Sequence, residues 1–356
     1  MEEREVTMQA ADPGIAAATS PEAHDREPGA HAPRRRIGDR LRHLAEAYAM
    51  VGLIGVLIVF FSLYGPSSTA FPTTANLQAV LGNQSVLAIV TLAALVPLVC
   101  YEFDLSIGAV LALSAVTSAS AYSSGAPLVV GIGVGVGIGL LVGVVNGLII
   151  TRGGVNAVVT TLGTSTIIVG IITWKTGGQA IVSGIPAGLT EAGSGNTFGI
   201  PRPVLFMAVI AGLVYYMLQH TPLGRYLDMA GSNPSAARLV GLNTKRLTLT
   251  AFAVSGLLAG IAGVLQVGRD GAANPNVGDS FTLPALAAAF LGFTAVRPGR
   301  FNVGGAIVAI VFLATLNSGL NLAGADPYVN SIVNGLALIV GVALSGLLWR
   351  RRTGRE

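Results

Sequence analysis

Apolar positions in this chain run in long blocks rather than in strand-like alternation or in single helical stripes. An α-helix needs about 20 apolar residues to cross the hydrocarbon core of a bilayer. Blocks of about that kind fall near 45–64, 78–99, 105–122, 127–150, 155–175, 203–219, 247–268, 283–296, 302–322 and 329–349. The pattern predicts an all-α integral membrane protein of about ten transmembrane helices. The 283–296 block is short, so it is expected to be broken or not to span fully. Polar punctuation separates the blocks, and Gly and Pro occur inside or beside several of them, as membrane helices tolerate when neighbours satisfy the freed backbone groups.

Composition strengthens this picture. Hydrophobic residues make up 52% of the 356 residues and charged residues 11%. A soluble domain carries roughly 25% charged residues. Between Ala47 and Leu223 the only acids are Glu102, Asp104 and Glu191, and the only bases are Arg152, Lys175 and Arg202. So few ions cannot make a water-facing surface; a lipid-facing one needs none. The 47 glycines suit helices that approach closely without water to drive them together. The formal net charge of +4 does not indicate nucleic acid, because the bases sit at segment ends rather than on one face. Cys100 is the single cysteine, and His24, His31, His43 and His220 lack metal-ligand spacing, so no metal site is expected.

Charge placement orients the map. Residues 1–43 read as a disordered cytoplasmic tail, with Arg34, Arg35, Arg36, Arg40 and Arg42 just before the first block. The membrane domain then occupies 44–349, and 350–356 forms a short cytoplasmic tail with Arg350, Arg351 and Arg352. With both termini inside, the external pieces hold only Lys175, Arg202 and Arg269 among the basic residues, which satisfies the positive-inside rule. Helices 2–5 then begin outside and helices 7–10 begin inside, which suggests an inverted repeat.

The loop 220–246 reads as structure. Asn233 can cap a helix, Pro234 fits its first position, and Gly241 fits the position just past its end. A short capped helix with Arg238 on it and an apolar edge at Leu239 and Val240 can rest on lipid headgroups or dock into a cytoplasmic partner. The residues alone leave both open.

The run Gly231, Asn233, Ala236, Ala237, Arg238, Gly241, Leu242, Asn243 resembles the signature loop of the ribose/xylose/arabinose-type ABC permeases, a branch of the branched-chain amino acid and monosaccharide permease superfamily. The stretches Phe103 to Val116, Val145 to Thr164 and Leu316 to Leu344 resemble further family segments in the same order. The resemblance covers about 45–349. It implies a type II ABC importer-like permease in the bacterial plasma (inner) membrane. A second permease subunit, identical or different, would complete the pathway. A cytoplasmic ABC ATPase would hold ATP and Mg and bind the coupling helix formed by Gly231, Asn233, Pro234, Ala236, Ala237, Arg238, Gly241 and Asn243. A periplasmic or lipid-anchored sugar-binding protein would deliver a monosaccharide. The chain has no P-loop of its own and only the lysines Lys175 and Lys245, so it is expected to be a non-enzymatic subunit that binds no cofactor.

Polar residues within the blocks are candidates for a translocation path: Asn83, Gln84, Asp104, Asn156, Thr160, Thr164, Asn317 and Asn321. Carboxamides and hydroxyls meet sugar hydroxyls with paired donors and acceptors; each can equally bond between helices. Asp104 can act in the path or cap the helix that follows. Arg269, Asp270 and Asp279 are candidates for docking the binding protein, or are simply solvated. The rival readings are a permease for branched-chain amino acids or nucleosides and an ion-coupled secondary transporter. The latter would want midplane ionisable groups that this chain lacks.

Overall fold

The computed structural model describes the backbone of residues 37–353 and the side chains of residues 47–347. Most of the expected N-terminal tail and the last residues of the C-terminal one lie outside the described residues. Contacts divide the chain after Arg40, and the helical bundle belongs to the unit Leu41–Glu356.

Helices α1 (Ile37–Leu63), α2 (Thr74–Val99), α3 (Ile107–Ser123), α4 (Leu128–Gly153) and α5 (Ala157–Thr176) come first. Next are a short helix α6 (Ala187–Ser194), a minimal hairpin β1 (Asn196–Thr197) and β2 (Ile200–Pro201), and α7 (Arg202–His220). Two short helices, α8 (Pro222–Ser232) and α9 (Pro234–Leu239), lead into α10 (Thr244–Asp270), α11 (Asp279–Gly292), α12 (Val303–Leu322) and α13 (Pro327–Thr353). Each apolar block of the sequence coincides with one helix. The short block near 283–296 is α11, displaced one turn toward the N-terminus. Among the described residues, seven helices are long and apolar enough to cross a membrane, while Ala47–Leu63, α3 and α11 are apolar but shorter. Local chemistry sets the ends. Thr73, Asn156 and Asn302 accept from backbone N–H groups in the first turns of α2, α5 and α12. Gly154, Gly177 and Gly271 end α4, α5 and α10 in the left-handed conformation.

The core is built around α2 and α10. From Ala88 to Val99 every residue of α2 is buried. Helix α10 packs on α2, α3, α4 and α6. Its seam with α4 is glycine against glycine: a Cβ on Gly139 would lie 2.5 Å from the Gly256 carbonyl oxygen and 2.7 Å from Gly260 Cα. Backbones this close gain dispersion contacts that a side chain would forbid. The outer helices show the opposite character. Only 17% of the α7 span and 11% of the α13 span is buried, leaving Leu213, Tyr216, Leu336 and Ile339 exposed. An apolar exterior of this extent is intolerable in water and ordinary in lipid.

Helices α3 and α11 are both preceded by a non-helical segment that turns back into the bundle. Asp104 and Ser106 are buried in the first, Ala273, Pro275 and Gly278 in the second. The second segment meets the first turn of α3, because a Cβ on Gly108 would strike the Gly278 carbonyl and the converse also holds. Irregular backbone at this depth needs protein around it to satisfy its polar groups.

Candidate functional site

The loop between α7 and α10 is helical almost throughout. Asn233 Oδ1 accepts from Ala236 N at 3.0 Å, and Pro234 occupies the first turn of α9. Past the helix, Gly241 takes φ +84° and donates to Arg238 O at 3.0 Å, while Leu242 N donates to Ala237 O at 3.0 Å. Asn243 then caps α10 by accepting from Arg246 N at 3.0 Å. The short capped helix expected from the sequence is therefore present. The preceding helix α8 is an addition; its signal, Pro222 right after Thr221 at a helix start, was legible.

This loop is anchored on one side and bare on the other. Ala237 is buried, and Gly231 lies so close to Val99 O and the Tyr101 ring that no side chain fits there. Asp228 of α8 pairs with Arg300, from the segment between α11 and α12, at 3.5 Å. On the bare side, Leu239 is 89% exposed and Val240 66% exposed, next to an exposed Arg238. Burying two such side chains is worth about 1.5–3 kcal/mol each.

A second constellation is enclosed. Asp104 is 2% exposed. Its Oδ1 accepts from Ser106 N at 3.0 Å and Ser106 Oγ at 2.6 Å, and its Oδ2 accepts from Ser255 Oγ of α10 at 2.8 Å. Asn146 of α4 donates to Ser106 Oγ at 3.0 Å and accepts from Thr164 Oγ1 of α5 at 2.6 Å. Thr161 Oγ1 accepts from Leu105 N at 3.1 Å. The network thus joins α3, α4, α5 and α10 around the start of α3, where the helix dipole favours a carboxylate. Asp104 binds the backbone just before α3 rather than its first turn, and it opens onto no surface. Ser106, Asn146 and Ser255 were not singled out from the sequence. A lone Asn inside the apolar run of α4 was the available signal.

The remaining path candidates divide. Asn156 is the exposed cap of α5, accepting from Val158 N at 2.9 Å, and the buried Thr160 hydroxyl donates to Asn156 O at 3.0 Å. Asn321 accepts from Asn330 at 2.6 Å, near the α12–α13 turn. Asn83, Gln84 and Asn317 come together in a cavity of about 180 Å³ between α2, α11, α12 and α13. Of the docking candidates, Asp270 and Asp279 are exposed. Arg269 is half-buried and donates to Asn83 O at 2.9 Å and to the Asn83 side chain. The stretch 176–202 holds the hairpin, whose tip residue Phe198 is fully exposed with φ +52°. Arg202 pairs with Glu191 at 3.2 Å, and Gln78 of α2 donates to Gly199 O at 2.7 Å, holding that tip in place.

Comparison with known proteins agrees with this architecture. The model of the family described as branched-chain amino acid transport system / permease component matches residues 76–342. The ribose import permease protein RbsC of Haemophilus influenzae is 32% identical, over 87% of this chain and 96% of its own length. The Escherichia coli protein of the same name is also 32% identical, over 84% of this chain and 93% of its own. The D-allose transport system permease protein AlsC of Escherichia coli is 29% identical, over 85% and 92%. No solved structure matches the chain. With most of its length under one family model and full-length relatives named as sugar permeases, the chain belongs to the branched-chain amino acid transport system permease family, in its monosaccharide branch.

Proposed function

We propose that this chain is the membrane-spanning permease subunit of an ATP-driven importer that moves a monosaccharide into the cytoplasm. The observation that carries the reading is the α8–α9 loop: a rigidly anchored, capped helix that presents Leu239, Val240 and Arg238 outward. Resting on headgroups would not require so firm an anchor. A motor that moves the bundle does, because force passes only through stiff contacts. Relatives named as ribose, D-allose and galactose permeases support a sugar as cargo.

In this reading all ten apolar helices cross the membrane, with both termini cytoplasmic. Helices α2–α5 and α10–α13 form an inverted repeat, which the packing supports. Helix α10 packs on α3 and α4 as α2 packs on α11 and α12, and α3 packs on α5 as α11 packs on α13. The reciprocal contact of Gly108 and Gly278 would then lie close to the axis relating the halves. A second permease subunit would complete the pathway, a separate ABC ATPase would hold ATP and Mg, and a sugar-binding protein would dock on the face carrying Asp270, Asp279 and the Phe198 tip. The bundle then acts as a two-state element biased by nucleotide on one side and by loaded binding protein on the other.

The test is reconstitution in liposomes with the ATPase and binding protein, measuring ATP hydrolysis and sugar uptake. Stimulation by loaded binding protein is expected, and Arg238→Glu is expected to abolish both while leaving insertion intact. Uptake that needs no ATPase and follows an ion gradient would overturn the reading. Uptake of branched-chain amino acids in place of monosaccharides would move the chain to the other branch of its family.

A further inference from the structure

Resting on the sugar-permease reading, we infer that the cavity between α2, α11, α12 and α13 is a waystation for a neutral polyhydroxylated solute, selective against charged ones. Three carboxamides from separate helices, Asn83, Asn317 and Asn334, converge on it with Gln84 and Ser280. Among the described residues no ionisable side chain lines it. Its volume of about 180 Å³ exceeds that of a lone water site. Asn317 and Asn334 sit about 8 and 10 Å along their helices from the α12–α13 turn, at 1.5 Å per residue. In the proposed orientation this is the outer part of the bundle, where a sugar released by a binding protein first arrives.

The carboxamides are not used up by one another. Asn317 Nδ2 lies 3.4 Å from Asn334 Oδ1, at the long limit for a hydrogen bond. The Asn317 Oδ1 atom is buried with no partner among the described residues, although buried polar atoms are almost always paired. Asn83 is held by Arg269, which donates to its carbonyl oxygens, so its amide N–H groups remain to donate. A set of neutral groups that donate and accept side by side matches vicinal hydroxyls. Phe281 supplies an apolar wall for the C–H face of a sugar ring. The lining itself carries no charge to compensate the ammonium and carboxylate of a zwitterionic amino acid, and the neighbouring Arg269 guanidinium is engaged by Asn83.

Two measurements on the reconstituted complex test this, with D-ribose, D-allose and D-galactose as probes and L-leucine as the charged competitor. In a Cys100→Ala background, Ser280→Cys is labelled with a small neutral maleimide. Labelling is expected to slow by about half when sugar occupies half the sites, and not to slow with leucine. Equal labelling rates with and without sugar, in a complex that still imports, would overturn the waystation; protection by leucine would overturn its selectivity. Separately, Asn317→Leu is expected to cut uptake about fivefold, the effect of one hydrogen bond, and Asn317→Ser to restore part of it. Unchanged uptake in Asn317→Leu also sinks the proposal. Failure of the unaltered complex to import any monosaccharide is a different result, and it would count against the proposed function itself.

Discussion

Two regions of this molecule invert the usual rule that apolar side chains go inside and charges outside. At α9, Leu239 and Val240 stand in the open. At the start of α3, Asp104 is sealed in the core. Both lie at a helix end, Asp104 just before α3 and Leu239 and Val240 at the close of α9, and both ends are held by hydrogen bonds. The difference lies in where the partner is. Asp104 finds Ser106, Ser255 and, through them, Asn146 and Thr164 within its own chain. Leu239 and Val240 stay exposed among the described residues, so their burial is open to a second protein. In the proposed reading the buried exception belongs to folding and the exposed one to assembly, and substitutions should separate them cleanly.

The largest effect is expected inside. Asp104→Leu would leave Ser106 N, Ser106 Oγ and Ser255 Oγ without their acceptor in a site that water does not reach. Each unsatisfied buried donor costs about 1–3 kcal/mol, which over three donors approaches the stability of a typical domain, about 5–15 kcal/mol. The protein should be recovered poorly, and what is recovered should melt at a clearly lower temperature in detergent. Asp104→Asn keeps an oxygen for Ser106 N and should retain most of the stability. An Asp104→Leu protein with an unchanged melting temperature would mean that the network is decoration rather than the joint of α3, α4, α5 and α10.

Outside, the expectation reverses. Leu239→Ser combined with Val240→Ser removes apolar surface that the isolated chain does not bury, so the melting temperature should stay the same. The affinity for the ATPase subunit should fall at least tenfold, since even 1.4 kcal/mol of lost burial at the interface is a factor of ten. Titrating detergent-solubilised permease with labelled ATPase reads this directly. Equal affinity in the double variant would return α9 to the headgroup reading.

How far each region was legible depends on the distances involved. The helix α9 rests on contacts three residues apart, Asn233 to Ala236, and on a glycine at its end, so the sequence predicts it with its cap and its stop. The apolar blocks are equally local, which is why they coincide with helices to within a few residues, apart from α1, which begins eight residues before its block. The Asp104 network joins residues 40 and 151 positions apart. Nothing in one sequence says that Ser255 faces Asp104, since a serine in an apolar helix has many possible neighbours. The partner of Arg269 was hidden for the same reason: only the fold brings Asn83 against it. The glycine seam lies between. Its glycines were visible only as composition, and which of them face one another on α4 and α10 became apparent only once the helices were side by side.

The smallest of these effects would sharpen the comparison most, because it touches the exposed region without touching its contact surface. Asn233→Ala removes the cap of α9 and should cost about 1 kcal/mol of local helix stability. Ala237 and the Asp228–Arg300 pair still hold the loop to the bundle, so global melting should barely move. If Leu239 and Val240 bind the ATPase as a preformed helix, the partner must now supply that ordering energy, and affinity should drop about fivefold. Amide hydrogen exchange in residues 235–240 should accelerate by a similar factor, because it reports the same local opening. A loss of affinity with no change in exchange would place the effect in a direct contact by Asn233. Faster exchange with no loss of affinity would mean that the partner does not need the helix formed in advance, and that the anchor on Gly231 and Ala237 is what carries the motion.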